Sequence, residues 1–319
     1  MPNPYDPQNP AKPDYFGGRI EALQIANERL DRAFRSNQSG GILVYGHRGV
    51  GKSSLLKKCL SVRKIIKENN FTTMIYLNQT LHLRQAWRDF LFFKLCGIKK
   101  IIGLSLREGG YHYLYDAQKK IFESERCRLA RQIKLLGEVD WRDPNIMNLN
   151  IIDTELQKAR AFLPHDFLSN PFIVCSIGTK LEMKDWGQAN WIALIAALTK
   201  QYSNYGMVFI GVSDEYERSA ELLNSWNGKT LNLCGKLSVR ESAAVLSFAR
   251  LFFGHDSGPM HLAAAVGTQC VAIFSRHAKP GCWFPFGKQH IVLYPKPGET
   301  ILNIRVDSVL NEVQRVLEA

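Results

Sequence analysis

Apolar residues fall in short runs along this chain, and in the C-terminal half those runs alternate with stretches of helical spacing. Phe172 to Ile177, Met207 to Ile210, Leu231 to Leu233, Leu251 to Phe253, Val271 to Phe274 and Ile291 to Leu293 predict strands. Helices are predicted at Trp191 to Tyr202, Glu215 to Trp226, Val239 to Ala249, Met260 to Val266 and Val306 to Leu317. Strand and helix in turn, joined by short connections, imply a parallel, doubly wound α/β sheet. Ligands of such sheets sit at the carboxyl ends of the strands.

The N-terminal half is less regular. Residues 1 to about 18 are rich in Pro, Asn and Asp, and helical spacing then runs from Ile20 to Phe34. The short strand Ile42 to Tyr45 leads into Gly46-His47-Arg48-Gly49-Val50-Gly51-Lys52-Ser53, followed by a helix from Ser54 to about Ile66. In this G-x-x-x-x-G-K-S phosphate loop, Gly46 and Gly51 free backbone N–H groups, Lys52 reaches phosphate oxygens and Ser53 ligates Mg²⁺. Met74 to Leu77 predicts a strand, Leu83 to Leu95 a basic amphipathic helix and Ile98 to Gly103 a second strand. Asp116 to about Leu136 predicts one long charged helix, which reads as a solvated face. Val139 to Phe172, broken at Asp143-Pro144, Leu163-Pro164 and Asn170-Pro171, predicts an interdomain stretch. The expected division is 1–70, 71–165 and 166–319.

Composition narrows the partners. A chain of 319 residues with 45% hydrophobic and 22% charged residues is long enough for two globular domains. No apolar run approaches the roughly 20 residues of a membrane span. The polar, proline-rich start is unlike a secretory signal, and seven cysteines without a Cys-x-x-Cys pair fit reduced thiols in the cytoplasm. Eight histidines show no metal-ligand spacing. The net charge of +12 calls for an anionic partner. Without a nucleic-acid motif, nucleic acid ranks last; a phosphorylated glycolipid at an anionic membrane surface fits.

The most specific stretch is Gly254-His255-Asp256-Ser257-Gly258-Pro259-Met260-His261-Leu262, which turns a strand into a small-residue helix. Such a turn aims free N–H groups and a positive dipole end at one point, as a diphosphate requires. GHDSGPMHLAAAVGTQCVAIFS, followed by Pro280 to Gly287, resembles the donor-site signature of glycosyltransferase family 9, the heptosyltransferase-like enzymes. The similarity runs from about Phe71 to the C-terminus. It implies a GT-B-like fold and an inverting, metal-independent transfer from a nucleotide-diphosphate sugar of ADP-heptose type to a lipopolysaccharide core or related glycan. It also implies that Asp256, Ser257, Gly258, Pro259, Met260 and His261 hold the donor diphosphate. On the same resemblance Thr179 bonds a phosphate, Lys184, with Lys180 as second choice, offsets charge on the leaving diphosphate, and Glu215 meets the nucleoside. Glu215 also reads as an ordinary helix N-terminal acid.

One departure stands against these matches. Family 9 enzymes begin with a strand and a glycine loop bearing an acidic base, and in this chain the phosphate-loop segment takes that position. The catalytic base is therefore unassigned, with Asp116, Glu123 and Glu125 as candidates. The phrase Tyr15 to Leu23 resembles the segment that precedes the phosphate loop of AAA-like ATPases. No acidic strand end follows to hold Mg²⁺, so the loop is expected to bind ATP with Mg²⁺ but hydrolyse it poorly. Two alternatives follow: a P-loop ATP-binding or ATPase-like protein with a vestigial or regulatory glycosyltransferase-like domain, or a non-catalytic glycan-binding or scaffold protein.

Overall fold

The computed structural model describes residues 42–45, 62–79, 82–107 and 110–319. The phosphate loop, with Gly46, Gly51, Lys52 and Ser53, and the segment from Tyr15 to Leu23 lie outside the described residues. The chain forms two compact units, Glu21–Asp143 and one whose described residues run from Pro144 to Ala319.

In the first unit β1 (Ile42–Tyr45), β2 (Thr73–Tyr76) and β3 (Lys100–Ile102) form a parallel sheet in that order, with Leu43 beside Met74 and Met74 beside Ile101. Helix α1 (62–68) precedes β2, and α2 (Leu83–Leu95) connects β2 to β3. Ile66 of α1 and Phe93 of α2 meet Met74 and Tyr76 in one core, so both helices cover the same sheet face. Helix α2 stops because Gly97 takes φ +103°, a left-handed conformation that favours glycine, and Ile98 N–H then donates to Phe93 O at 3.1 Å.

The long helix expected over 116–136 does not form. Instead β4 (Tyr115–Asp116) and β5 (Ile121–Phe122) make a short antiparallel hairpin, and α3 (Glu125–Gln132) follows. Two local devices explain this. The Asp116 carboxylate accepts from the N–H groups of Gln118 and Lys119, both at 3.0 Å, and Lys120 takes φ +53°, which closes the turn. Ser124 then caps the new helix by accepting from Cys127 N–H at 3.4 Å.

The second unit begins at Pro144, ahead of the expected residue 166. The stretch expected to be a linker holds α4 (Asp153–Phe162) and α5 (His165–Ser169). Ala159 and Leu163 are buried in this unit's core, and Glu155 forms an ion pair with Arg240. Its sheet runs β11-β10-β9-β6-β7-β8, all parallel. The strands are β6 (Phe172–Ser176), β7 (Gly206–Phe209), β8 (Thr230–Asn232), β9 (Leu251–His255), β10 (Cys270–Ile273) and β11 (Ile291–Leu293). Alternate residues of β6 feed two cores. Ile173 and Cys175 join Trp191 and Leu194 of α6 (Gln188–Tyr202) and Val313 of α10 (Val306–Glu318). Val174 faces Val245 of α8 (Val239–Ser247) and Ala263 of α9 (Gly258–Ala265). A further helix, α7 (Tyr216–Leu223), follows β7.

The strand order matters more than the count. Connections run from β6 outward through β7 to β8, then return to β9 beside β6 and run outward the other way. The direction reverses between β6 and β9, where an open α/β sheet leaves a crevice at its carboxyl edge.

Candidate functional site

Three turns leave the carboxyl edge at that reversal: 177–187 after β6, 210–215 after β7 and 256–257 after β9. The last feeds α9. Ser257 is its N-cap, in extended conformation with φ −147° and ψ 172°, and its side chain makes no capping bond. First-turn N–H groups of a helix have no partner inside it, and their dipole end is positive. Pro259 fits there because its ring needs no N–H in the first turn. Met260, expected at the donor, instead buries its side chain in the core, so only its backbone faces the turn. His261 is half-buried, its ring 6.4 Å from that of Trp283.

The β6 turn is tied to the β9 turn by an ion pair. Lys184 Nζ lies 2.7 Å from Asp256 Oδ2, and both side chains are largely shielded from solvent. This brings together two expected donor residues 72 positions apart. Thr179 closes its own loop, donating from Oγ1 to Leu181 O at 3.2 Å, and Lys180 is exposed. Glu215 ties the β7 turn to the β6 turn. Its carboxylate lies where a Cβ on Gly178 would meet Oε1 at 1.9 Å, and it accepts from Val212 N–H at 3.2 Å. Burial raises its pKa from the ordinary carboxylate value.

Residues the sequence did not single out hold the β6 turn in place. His255, wholly buried at the end of β9, lies between two points of that turn. Its Nε2 accepts from Trp186 N–H at 3.0 Å and its Nδ1 lies 3.0 Å from Ile177 O, so the ring is neutral with its proton on Nδ1. Burial lowers its pKa to about 4, consistent with that tautomer at neutral pH. Trp186 is buried, with Nε1–H donating to Ile304 O at 2.9 Å. Arg218 holds Asp185 through Nη1 at 2.5 Å and Nη2 at 3.0 Å. A histidine ending an apolar strand immediately before Asp-Ser-Gly was the available signal for His255; the Asp185–Arg218 pair spans 33 residues and left none.

Two hydroxyls complete the edge. Ser176 Oγ, ending β6, and Ser257 Oγ, starting α9, are buried and find no hydrogen-bond partner among the described residues. Buried hydroxyls are rarely left so, and both stand at the strands that flank the reversal. Helix-start amides, two hydroxyls and an ammonium in one crevice can bind an anion such as a phosphate ester.

The three candidate bases stand in the other unit, each with structural partners. Asp116 holds the hairpin turn, and Glu123 accepts from Leu114 N–H at 3.0 Å and pairs with Arg131. Glu125 accepts from Arg128 Nε and Nη2, both at 2.6 Å, and from the Tyr113 hydroxyl at 2.8 Å.

Comparison with known proteins agrees with this architecture. The structure of a family 9 glycosyltransferase from Veillonella parvula matches with a TM-score of 0.62 at 17% identity, covering 92% of both chains. The Escherichia coli heptosyltransferase WaaC, solved with ADP, matches with a TM-score of 0.57 at 17% identity, covering 91% of this chain and 94% of that one. These likenesses establish a GT-B-like α/β fold. In sequence, lipopolysaccharide heptosyltransferase 3 of Escherichia coli is 28% identical over 121 residues, 37% of this chain and 35% of that protein. The curated relatives are matched over only 17 to 35% of their own length. The family model described as glycosyltransferase family 9 (heptosyltransferase) matches residues 59–300, beginning after the phosphate loop. That match spans most of the chain and includes all three turns of the crevice: the protein belongs to glycosyltransferase family 9.

Proposed function

We propose that the protein transfers a heptose-like sugar from a nucleotide-diphosphate donor of ADP-heptose type to a lipopolysaccharide core or related glycolipid. One observation carries the reading: the Lys184–Asp256 pair ties the β6 turn to the turn that opens α9 at the sheet's topological reversal, where the Ser176 and Ser257 hydroxyls find no partner among the described residues. A diphosphate there receives N–H bonds from the helix start and hydrogen bonds from both hydroxyls. Gly258 leaves room for it, since a Cβ at this position meets nothing within 4 Å. Thr179 and Glu215 flank it, Glu215 toward the nucleoside, and the E. coli relative solved with ADP supports an adenine nucleotide.

The reaction needs stabilisation of a leaving anion. An acceptor hydroxyl oxygen bonds to the anomeric carbon while the bond from that carbon to the diphosphate oxygen breaks, and the nucleoside diphosphate departs with the electron pair. Lys184 and the α9 amides face the oxygen on which charge grows, and such fixed donors lower the barrier. Asp256 holds the Lys184 ammonium in place. The acceptor proton passes to a general base. ADP release from ADP-heptose, measured with a core-oligosaccharide acceptor, tests the reading: loss of turnover in Lys184→Gln with the fold intact supports it, and unchanged turnover overturns it.

The phosphate loop at 46–53 is proposed as a separate nucleotide cradle. It lies upstream of the matched family region, so ATP binding there is independent of the transferase reading.

A further inference from the structure

Helix α2 buries Ala86 and Phe93 against the three-stranded sheet and turns a different face outward. Leu83, Trp87, Leu91 and Leu95, each four residues after the last, are exposed at 40, 45, 53 and 79%. Four-residue spacing sets them in one stripe along the helix. A surface helix normally keeps such a stripe polar, and contiguous apolar exposure marks a site of interaction. The exposed side chains beside the stripe are Arg84, Arg88 and Lys94, all cationic. The one acid of the helix, Asp89, is turned inward, accepting from the Tyr76 hydroxyl at 2.6 Å and pairing with Arg88. Exposed Lys99 and Lys100 follow the helix, and on α1, which covers the same sheet face, exposed Arg63 and Lys67 stand beside a Lys64–Glu68 ion pair.

We propose that this face of α2 docks on an anionic lipid surface, with the helix axis in the plane of the membrane. The leucines enter the acyl boundary, Trp87 lies at headgroup level, and the Arg and Lys side chains reach out to anionic headgroups. Charge complementarity selects the occupant: an apolar stripe with only cationic exposed neighbours on its helix matches a negatively charged interface and repels a basic one. No helix among the described residues is long and apolar enough to cross a membrane. The inference deepens the proposed glycolipid acceptor and rests on that reading for its biological setting.

Sedimentation of the full chain with vesicles tests it. Binding to phosphatidylglycerol vesicles is expected to exceed binding to phosphatidylcholine at least tenfold at about 0.1 M salt, weakening at higher salt. The Leu91→Gln/Leu95→Gln variant is expected to bind phosphatidylglycerol about tenfold less with an unchanged melting temperature. Brominated lipid is expected to quench tryptophan emission, and Trp87→Phe to remove most of that quenching. Equal vesicle binding by the double variant overturns the proposal, because net charge alone would then explain it. Absence of wild-type binding also overturns it, as does a wild-type dimer that the double variant dissociates, which would make a second copy the occupant. No sugar nucleotide is present, so a negative result leaves the transferase reading standing.

Discussion

At the scale of single residues, His255 shows how an apolar strand serves a polar site. Burial keeps its ring uncharged, and the neutral ring spans Ile177 O and Trp186 N–H, fixing the turn that carries Lys184. Its folded pKa of about 4 lies below the ordinary 6.5, so between those values the unfolded chain takes up a proton that the folded chain refuses. Stability is therefore lost as pH falls from 6.5 toward 4, by about 1.4 kcal/mol per pH unit, or about 2 kcal/mol at pH 5. In His255→Asn the protein is less stable at neutral pH but this share of the pH slope is absent. Urea unfolding of both proteins at pH about 7.5 and about 5 measures it; an identical slope would refute the assignment. The half-buried His290 titrates in the same direction in both proteins and cancels in the comparison. Gly258 offers the opposite kind of test. An added methyl projects into open space, so Gly258→Ala is expected to leave stability unchanged or raise it by about 0.4–1 kcal/mol. The same methyl enters the space assigned to the diphosphate, and calorimetry should show ADP binding weakened about tenfold, or about 1.4 kcal/mol.

Among the elements, α3 owes its position to buried polar side chains. Arg128, fully buried, donates to Leu77 O at 3.1 Å, and Gln132 reaches Tyr76 O and Gly103 O, both at 2.8 Å. These bonds seat the helix on the carboxyl ends of β2 and β3, with Glu125 as the counter-ion of Arg128. Removing one partner of a buried pair leaves an uncompensated charge. Glu125→Gln is thus expected to cost about 2–4 kcal/mol in denaturant unfolding, Glu125 being partly exposed. A cost below about 0.5 kcal/mol would show the pair is not structural. How far the sequence revealed the elements depended on what each buries. The strands of the second unit were legible because parallel strands covered on both faces are apolar throughout, as in Phe172–Ser176 and Leu251–His255. The hairpin at 115–122 was not, because two-residue strands carry no period and the charged residues around them suit a helix equally well. Helix α4 was hidden by the prolines around it, although Leu156, Ala159 and Leu163 already show helical spacing. In the crevice, Asp256 and Lys184 were legible from motif, while His255, Ser176 and the Arg218–Asp185 anchor needed the fold to bring them together.

For the whole molecule, two sequence motifs expected to meet phosphate lie far apart in the chain, at 46–53, outside the described residues, and at 256–261. The family match includes the second and omits the first. The reversal of strand order places the second at the sheet's carboxyl edge, beside Lys184 and the unpartnered serines. The most direct measurement is calorimetric titration of ADP into the wild-type chain, Gly258→Ala and Lys52→Ala. The expected result is an ADP site that Gly258→Ala weakens about tenfold and that persists at full strength in Lys52→Ala. Loss of ADP binding in Lys52→Ala, with Gly258→Ala indistinguishable from wild type, would contradict the account.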